Sequence, residues 1–170
     1  MSPLQIAPIS KTRYQMHKFP TSFQAVDNVI IWREASKILL GRKPNRVLWQ
    51  FPGGFVDPSD QNLETAAERE RKEECRIGFD DITGHAFDCI CSCPEYIGSF
   101  RVQDPRYMDS PDKIMSAIFL SFYITGTPEA SDDLQEVRWF DKNYLRRYYV
   151  KTLAPIHYPI ISLLIHKGYL

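Results

Sequence analysis

A glycine pair followed by a helix of clustered glutamates constrains this chain more than any other feature. Residues 52–57 read Pro-Gly-Gly-Phe-Val-Asp, and a helix is predicted over residues 63–76. At about 100° per residue, Glu70, Glu73 and Glu74 fall on one arc of that helix, roughly 100° wide. The same arc holds the only apolar stripe of the helix, which should face the core. The sequence therefore predicts three carboxylates on an inward edge.

Two interpretations of this helix are open. Its arginines and lysine, at 69, 71, 72 and 76, could make it a solvated helix covered with ion pairs, which is what a charge run usually means. Alternatively, a cation neutralises the carboxylates, because Glu70 and Glu74 form a like-charge i, i+4 pair that disfavours the helix by a few tenths of a kcal/mol. The glycine pair favours the second interpretation, since backbone without side chains allows a ligand to approach closely.

Residues 54–77 resemble the Nudix box of the Nudix hydrolases. The family pattern is Gly, five residues, Glu, seven residues, then Arg-Glu-apolar-x-Glu-Glu-x-Gly-apolar. The matching residues here are Gly54, Arg69, Glu70, Glu73, Glu74 and Ile77. The chain departs from the pattern in four ways: Asp60 is the first acidic residue, the loop is one residue longer, Arg71 stands at the apolar position and Arg76 at the second glycine.

The resemblance implies a site and a fold. By analogy with the family, Glu70, Glu73 and Glu74 bind a metal ion, Gly54 offers its backbone carbonyl, and Arg69 orients the glutamates. Clustered carboxylates select hard cations, so Mg²⁺ or Mn²⁺ is expected. The implied fold is α/β, a Nudix-type α/β/α sandwich with a mixed β-sheet.

The pattern of elements agrees with that class. Strands before and after a mid-chain helix, with a closing helical tail, predict a mixed α/β sandwich. Strands are predicted over residues 24–33, 37–42, 84–92, 96–103, 113–124 and 136–140, and helices over 63–76, 141–152 and 157–170, the last broken by Pro159.

The general base is not fixed by the motif. In the pyrophosphatase branch it is often a carboxylate on a loop outside the box, and Glu129 is the candidate taken as catalytic here. Asp132, Asp133 and Glu136 stay open, as do Glu73 and Glu74. Any one of the loop residues could instead belong to a solvated acidic turn.

Two flanking stretches indicate the substrate. Residues 103–107 and 132–140 resemble those of ADP-ribose pyrophosphatases, especially the Nudix domain fused to an NMN adenylyltransferase. The implied reaction is hydrolysis of ADP-ribose to AMP and ribose 5-phosphate. The candidate aromatic faces for adenine are Phe23, Trp49 and Tyr107, and the candidate phosphate ligands are Arg42, Arg46 and Arg106. For Trp49, packing in the core is an equally good explanation.

Other functions remain as alternatives. The same chemistry could act on NADH, a sugar nucleotide or a nucleoside triphosphate. A non-catalytic ADP-ribose sensor is a further alternative, although the intact glutamates argue against it.

Composition limits the partners. The chain has 170 residues and a formal net charge of zero, so nothing argues for a nucleic-acid or membrane partner, and the expected partner is a small nucleotide. With no segment like a membrane span or signal peptide, a cytoplasmic protein is expected. We predict an N-terminal arm over residues 1–21 and a single domain over 22–170, whose apolar tail packs on its own core or across a homodimer.

The four cysteines, Cys75, Cys89, Cys91 and Cys93, carry a weaker signal. The last three alternate along a predicted strand, so their side chains share one face. Their spacing is not that of a zinc finger or ribbon, and a buried cysteine usually behaves as a small apolar residue. We therefore expect packing and not a metal site.

Overall fold

The computed structural model describes residues 21–79, 89–104 and 112–170. Within these ranges the chain forms eight strands, three α-helices and one 3-10 helix. In chain order they are β1 (Ser22–Trp32), β2 (Lys37–Arg42), β3 (Gly53–Phe55), α1 (Leu63–Cys75), β4 (Ile77–Phe79), β5 (Cys89–Cys91), β6 (Glu95–Val102), β7 (Lys113–Gly126), β8 (Glu136–Asp141), α2 (Lys142–Thr152), the 3-10 helix (Pro155–His157) and α3 (Tyr158–His166).

The sheet is built on a parallel pair. Strands β1 and β7 pair in parallel from Ser22 opposite Lys113 to Ile31 opposite Phe122. The strand order is β4-β5-β7-β1-β2-β8, with β3 added to β1 and β6 added to β7. Because β1 also pairs antiparallel with β2 and β3, the sheet is mixed, as the sequence predicts.

Helices cover both faces of the sheet. On one face, Ala66 and Ala67 of α1 pack with Val26 of β1 and with Ala117 of β7. On the other face, the apolar residues of the C-terminal tail (residues 142–170) pack against Val29 and Ile31 of β1 and against Ile118 and Leu120 of β7. Since successive residues of a strand point to opposite faces, this arrangement is the predicted α/β/α sandwich.

Helix α1 begins and ends close to the predicted residues. Asn62 caps its N-terminus: the side-chain oxygen accepts from the backbone N–H of Thr65 at 2.8 Å, while the Thr65 hydroxyl accepts from the backbone N–H of Asn62 at 3.1 Å. This reciprocal capping box satisfies two helix-end donors. The helix ends at Cys75, where Arg76 takes a left-handed conformation with φ of 53°. Arg76 thus adopts a conformation that glycine usually supplies at a helix end.

The interpretation of α1 as a solvated charged helix is wrong for its inward face. Arg71 is completely buried, and Glu74 is 1% exposed. The Arg71 guanidinium donates from Nη1 to the Ser92 carbonyl at 3.1 Å and to the Ser121 hydroxyl at 2.7 Å. Its Nε and Nη2 have no hydrogen-bond partner among the described residues. Burial lowers the pKa of Arg71.

The C-terminal tail also differs from its prediction. Pro159 does not break a helix; it lies in the first turn of α3, where a missing backbone N–H costs nothing. The tail packs on its own sheet through Leu145, Ile160 and Leu164. Among the described residues, no helix is long and apolar enough to cross a membrane.

The cysteines behave as small apolar residues. Cys75, Cys89 and Cys91 are buried in one cluster with Ile30 and Leu39. The described part of the chain contains no group of three or more histidine, cysteine or acidic side chains that could hold a metal ion as it stands. Strand β5 covers only the end of the strand predicted over 84–92, and residues 84–88 lie outside the described ranges.

Replacing Arg71 with methionine should leave the free energy of unfolding unchanged or raise it by up to about 4 kcal/mol, since an apolar side chain of similar length removes a half-satisfied buried charge. Arg71→Ala, which leaves the space empty, should lower it by about 2 kcal/mol or more. Urea unfolding of both variants measures the difference. Equal destabilisation by the two substitutions would contradict this account.

Candidate active site

The two glycines of the turn are required by two different close contacts. Gly53 lies opposite Asp27 and Gly54 opposite Val26 in the β3–β1 pair. Gly53 has φ of 152°, and a Cβ there would lie 2.1 Å from the Val26 carbonyl oxygen. A Cβ at Gly54 would lie 2.6 Å from Oε1 of Glu70. A strand therefore excludes a side chain at the first position, and a glutamate carboxylate excludes one at the second.

Glu74 is the most deeply buried carboxylate of the helix. Its Oε2 accepts a hydrogen bond from the Gly53 backbone N–H at 2.7 Å. Burial raises the pKa of Glu74 to about 8, against the opposing effects of that hydrogen bond and of the positive charge on Lys43. The desolvation of this group is therefore only partly compensated within the protein.

Arg69 connects the glutamates to the loop before the helix. Its Nε and Nη2 donate to both oxygens of Asp60, at 3.1 and 3.0 Å. Its Nη1 donates to Glu70 and to Glu73, each at 2.9 Å, and its Nη2 also donates to the carbonyl of Phe55. This pairing is the one the sequence predicts for Arg69. Asp60, at the first acidic position of the motif, fixes the guanidinium in a bidentate contact.

The three glutamates differ in their surroundings. The Glu70 side chain is 12% exposed, and burial raises its pKa despite the contact with Arg69. The Glu73 side chain is 48% exposed and is held by the same arginine. Glu70 and Glu74 therefore form the buried part of the site beside the glycine turn, and Glu73 lies at its solvent-facing rim.

The loop carboxylates fall into separate environments. Glu129 is more than half exposed, 4.0 Å from Nε of Arg76, and its backbone N–H donates to the Cys75 carbonyl at the end of α1. Glu136 is paired with Arg42 and Arg138. Burial is the main cause of the raised pKa of Glu70 and of Glu74, and the charges of Asp132 and Asp133, respectively, add to it. The 132–133 turn therefore lies near enough for its charges to act on the buried glutamates.

Asp132 has the more distinctive setting of these two aspartates. Its φ of 51° is unusual for a residue other than glycine. Asp133 is paired with Lys43 at 2.5 Å, whereas the Asp132 carboxylate has no hydrogen bond or ion pair to another part of the described chain.

The predicted substrate residues have different outcomes. Trp49 is 8% exposed and packs edge-on against Phe140 with ring centroids 4.8 Å apart, which corrects its assignment as an adenine-stacking residue in favour of a core position.

Arg42 is paired with Glu136, so a phosphate would have to compete for it. Arg46 is exposed, and Phe23 is 40% exposed with an edge-on contact to Phe55. Arg106 and Tyr107 lie outside the described residues.

A buried polar cluster that was not predicted from the sequence lies near the turn. Asp27 and His157 are 8% and 6% exposed, and their side chains approach within 3.4 Å. Asn28 is 1% exposed and donates to the Ala67 carbonyl of α1 at 3.0 Å. The available signal was the polar pair Asp27-Asn28 within the β-branched strand β1, since a buried polar residue requires a partner.

Comparisons with known proteins agree with this geometry. A family model described as the NUDIX domain matches residues 22–164. RNA pyrophosphohydrolase from Pseudomonas putida is 35% identical over 63 residues, which are 37% of this chain and 39% of that relative. The chain thus matches about two fifths of the length of these curated relatives.

Solved structures show the same fold. One is a bifunctional NMN adenylyltransferase/ADP ribose pyrophosphatase from Francisella tularensis complexed with AMP and Mn ion (TM-score 0.61, 23% identity, covering 92% of this chain and 45% of that chain). Another is the NUDIX domain of Shewanella oneidensis NrtR complexed with ADP ribose (TM-score 0.64, 18% identity, covering 94% of this chain and 99% of that chain). The chain belongs to the Nudix family.

Replacing the two glycines with alanine should affect two different properties: stability at Gly53 and activity at Gly54. Gly53→Ala places a Cβ against rigid backbone at a positive φ and should lower the free energy of unfolding by about 2 kcal/mol or more. In Gly54→Ala the clash is with the movable end of Glu70, so the protein should stay folded while its hydrolase activity falls. Thermal unfolding and activity, measured on both variants, check this pair. Retention of full activity by a folded Gly54→Ala protein would be inconsistent with the site.

The raised pKa of Glu74 predicts a pH dependence of stability. The folded protein keeps a proton on Glu74 up to about pH 8, whereas the unfolded chain releases it near 4.5. The stability that this proton contributes is fully present below pH 4.5 and is lost as the pH rises through 8. In EDTA, the melting temperature of the wild type should therefore fall between pH 5 and 8 more steeply than that of Glu74→Gln. Parallel pH profiles would show that Glu74 does not titrate in this way.

Proposed function

We propose that this Nudix hydrolase cleaves the pyrophosphate bond of ADP-ribose in a reaction that depends on a divalent cation, giving AMP and ribose 5-phosphate. The observation that carries the catalytic part is the buried Glu74 carboxylate, held by Gly53 beside Glu70. Support for the substrate comes from the resemblance of residues 103–107 and 132–140 to ADP-ribose pyrophosphatases. The two structural neighbours with AMP or ADP ribose bound add to that support.

The donor set has the oxygen chemistry of a hard divalent site, although Arg69 holds Glu70 and Glu73 in this structure and the three carboxylates do not yet converge on one point. Glu70, Glu73 and Glu74 would hold Mg²⁺ or Mn²⁺, together with the carbonyl of Gly54. Burial raises the pKa of both Glu70 and Glu74, so their negative charge is unfavourable until a cation compensates it. When bound, such an ion would neutralise pyrophosphate oxygens and lower the pKa of a bound water.

The residues of the chain itself position the reacting groups. Arg69 is held by both oxygens of Asp60 and fixes the carboxylates of Glu70 and Glu73. A carboxylate from the acidic loop would accept the proton of the attacking water. We propose Asp132 for this role ahead of Glu129, because the charge of Asp132 acts on Glu70 while Glu129 faces Arg76.

Two exposed side chains are the candidates for contact with the two halves of the substrate. Arg46 is exposed and carries a positive charge that a phosphate could bind. Phe23 keeps two fifths of its surface exposed and stays the candidate for contact with adenine. A homodimer and a cytoplasmic location also stay predictions.

Other substrates would use the same machinery. NADH, a sugar nucleotide and a nucleoside triphosphate each contain the phosphoric anhydride that such a site attacks. The RNA pyrophosphohydrolases among the relatives add the 5′ end of RNA to the alternatives. A sensor that binds ADP-ribose without cleaving it is less well supported, because the chain retains Glu70, Glu73 and Glu74, the three glutamates expected to bind the metal ion.

A substrate panel with Mg²⁺ tests the proposal. ADP-ribose should be turned over faster than NADH, a sugar nucleotide, a nucleoside triphosphate or 5′-triphosphorylated RNA, with AMP and ribose 5-phosphate as products. Glu74→Gln should lower kcat by about two orders of magnitude or more, because metal-ion catalysis contributes several kcal/mol. Circular dichroism should show that the variant is folded. Equal turnover of the whole panel would refute the assignment of ADP-ribose as substrate. A Glu74→Gln protein with unchanged activity would refute the catalytic role of Glu74.

Two loop variants form a matched control within the same assay. Asp132→Asn should lower kcat, whereas Glu129→Gln should have little effect, since each change removes one charge from the same acidic loop. The reverse order would return the role of base to Glu129.

A further inference from the structure

A buried polar cluster on the tail side of the sheet is used by none of the chemistry described so far. Nδ1 of His157 lies 3.4 Å from Oδ1 of Asp27, and the Ser116 hydroxyl donates to Oδ2 of the same aspartate at 2.5 Å. The three residues are at most 8% exposed. They come from β1, from β7 and from the 3-10 helix of the tail, so the cluster joins three separate parts of the chain.

Packing alone does not account for this cluster. Nδ1 of His157 is buried, and its contact with Asp27 is too long or too poorly aligned to count as a hydrogen bond. Buried polar atoms cost free energy unless they are fully paired, and apolar residues would fill the space better. The His157 ring also lies beside Phe51, with ring centroids 5.9 Å apart, so an aromatic side chain would fit there.

The backbone of Asp27 supports the glycine turn. Asp27 is the strand partner of Gly53, and a Cβ on Gly53 would lie only 2.9 Å from the Cα of Asp27. The N–H of Gly53 in turn donates to Glu74. The path from the tail to the buried carboxylate is therefore His157, Asp27, Gly53 and Glu74, with a direct contact at each step.

The tail also holds the segment that leads into the turn. The backbone N–H of Trp49 donates to the Thr152 carbonyl at 2.8 Å, and that of Ala154 donates to the Trp49 carbonyl at 2.8 Å. The N–H of Asn28, the neighbour of Asp27, donates to the Pro52 carbonyl at 2.7 Å. The tail thus contacts Trp49, in the segment that leads into the turn, and Asp27 of β1, the strand on which the turn lies.

We propose that His157 and Asp27 are positioning residues for the metal-binding turn. Their contact fixes β1 at Asp27, the strand partner of Gly53. It therefore sets the positions of the Gly53 N–H and the Gly54 carbonyl relative to Glu74. This inference rests on the proposed function, because it assigns the pair a role only if the turn and the glutamates bind a divalent cation.

The experiment compares three substitutions in the full chain. His157→Phe keeps the ring and the packing on Phe51 but removes the polar contact. His157→Asn is the conservative variant, since it keeps a polar side chain whose amide N–H could donate to Asp27. Ile160→Val is the matched control, because Ile160 is a completely buried residue of the same tail with no polar side-chain atom.

Two quantities are the main readouts for each protein: the dissociation constant for Mn²⁺, from the electron paramagnetic resonance signal of the unbound ion, and the melting temperature. The values of kcat and KM for ADP-ribose are measured beside them. His157→Phe should bind Mn²⁺ about tenfold more weakly, the scale typical for loss of a group that orients a metal ligand. It should lower kcat for ADP-ribose more than it changes KM. His157→Asn should recover at least part of the Mn²⁺ affinity, and Ile160→Val should lower the melting temperature without weakening Mn²⁺ binding.

The outcomes separate this inference from the function on which it rests. If His157→Phe binds Mn²⁺ as the wild type does, or if Ile160→Val weakens Mn²⁺ binding as much as His157→Phe, the positioning role is overturned. Should His157→Phe fail to fold, Asp27→Asn and His157→Asn carry the test with the same two measurements. Absence of Mn²⁺ binding in the wild type would overturn the proposed metal site itself.

Discussion

The hydrogen bond from the Gly53 backbone to Glu74 is the interaction on which the rest of the site depends. It joins a turn with no side chains to a carboxylate that has almost no contact with solvent. Forming it requires the turn to lie directly on β1, which only glycine permits at that position. It also requires α1 to lie against the sheet, which Ala66 and Ala67 allow through their small size. Burying a carboxylate costs free energy, and the cation of the proposed function would offset that cost.

Arg69 and Arg71 lie two residues apart on α1 but have very different surroundings. Arg69 is surrounded by three carboxylates and a carbonyl, so its donors are used and its direction is fixed. Arg71 points into the protein, where two of its nitrogens lack a partner in the described structure. The first arginine organises the glutamates. The second occupies a position where the family usually has an apolar residue and closes the gap between α1, β7 and the Ser92 backbone.

Local signals in the sequence predicted much of this protein. The bounds of the helix and the mixed sheet follow from short-range patterns, and the pairing of Arg69 with the glutamates was expected from the resemblance to the Nudix box. The burial of Arg71 and of Trp49 could not be read in this way, because each depends on residues far away in sequence. The contact of Asp27 with His157 is the extreme case, since it joins the first described strand to the tail. Periodicity shows which face of an element is apolar, but not which distant element covers it.

The parallel pairing of β1 with β7 has a consequence for the order in which the chain folds. The paired residues are separated by about ninety positions, so the centre of the sheet forms only after a long loop has closed. His157 lies later still, and synthesis proceeds from the N-terminus. A nascent chain therefore carries the whole glutamate motif well before the ribosome has made His157, and the turn can take its final arrangement only after that residue has been synthesised.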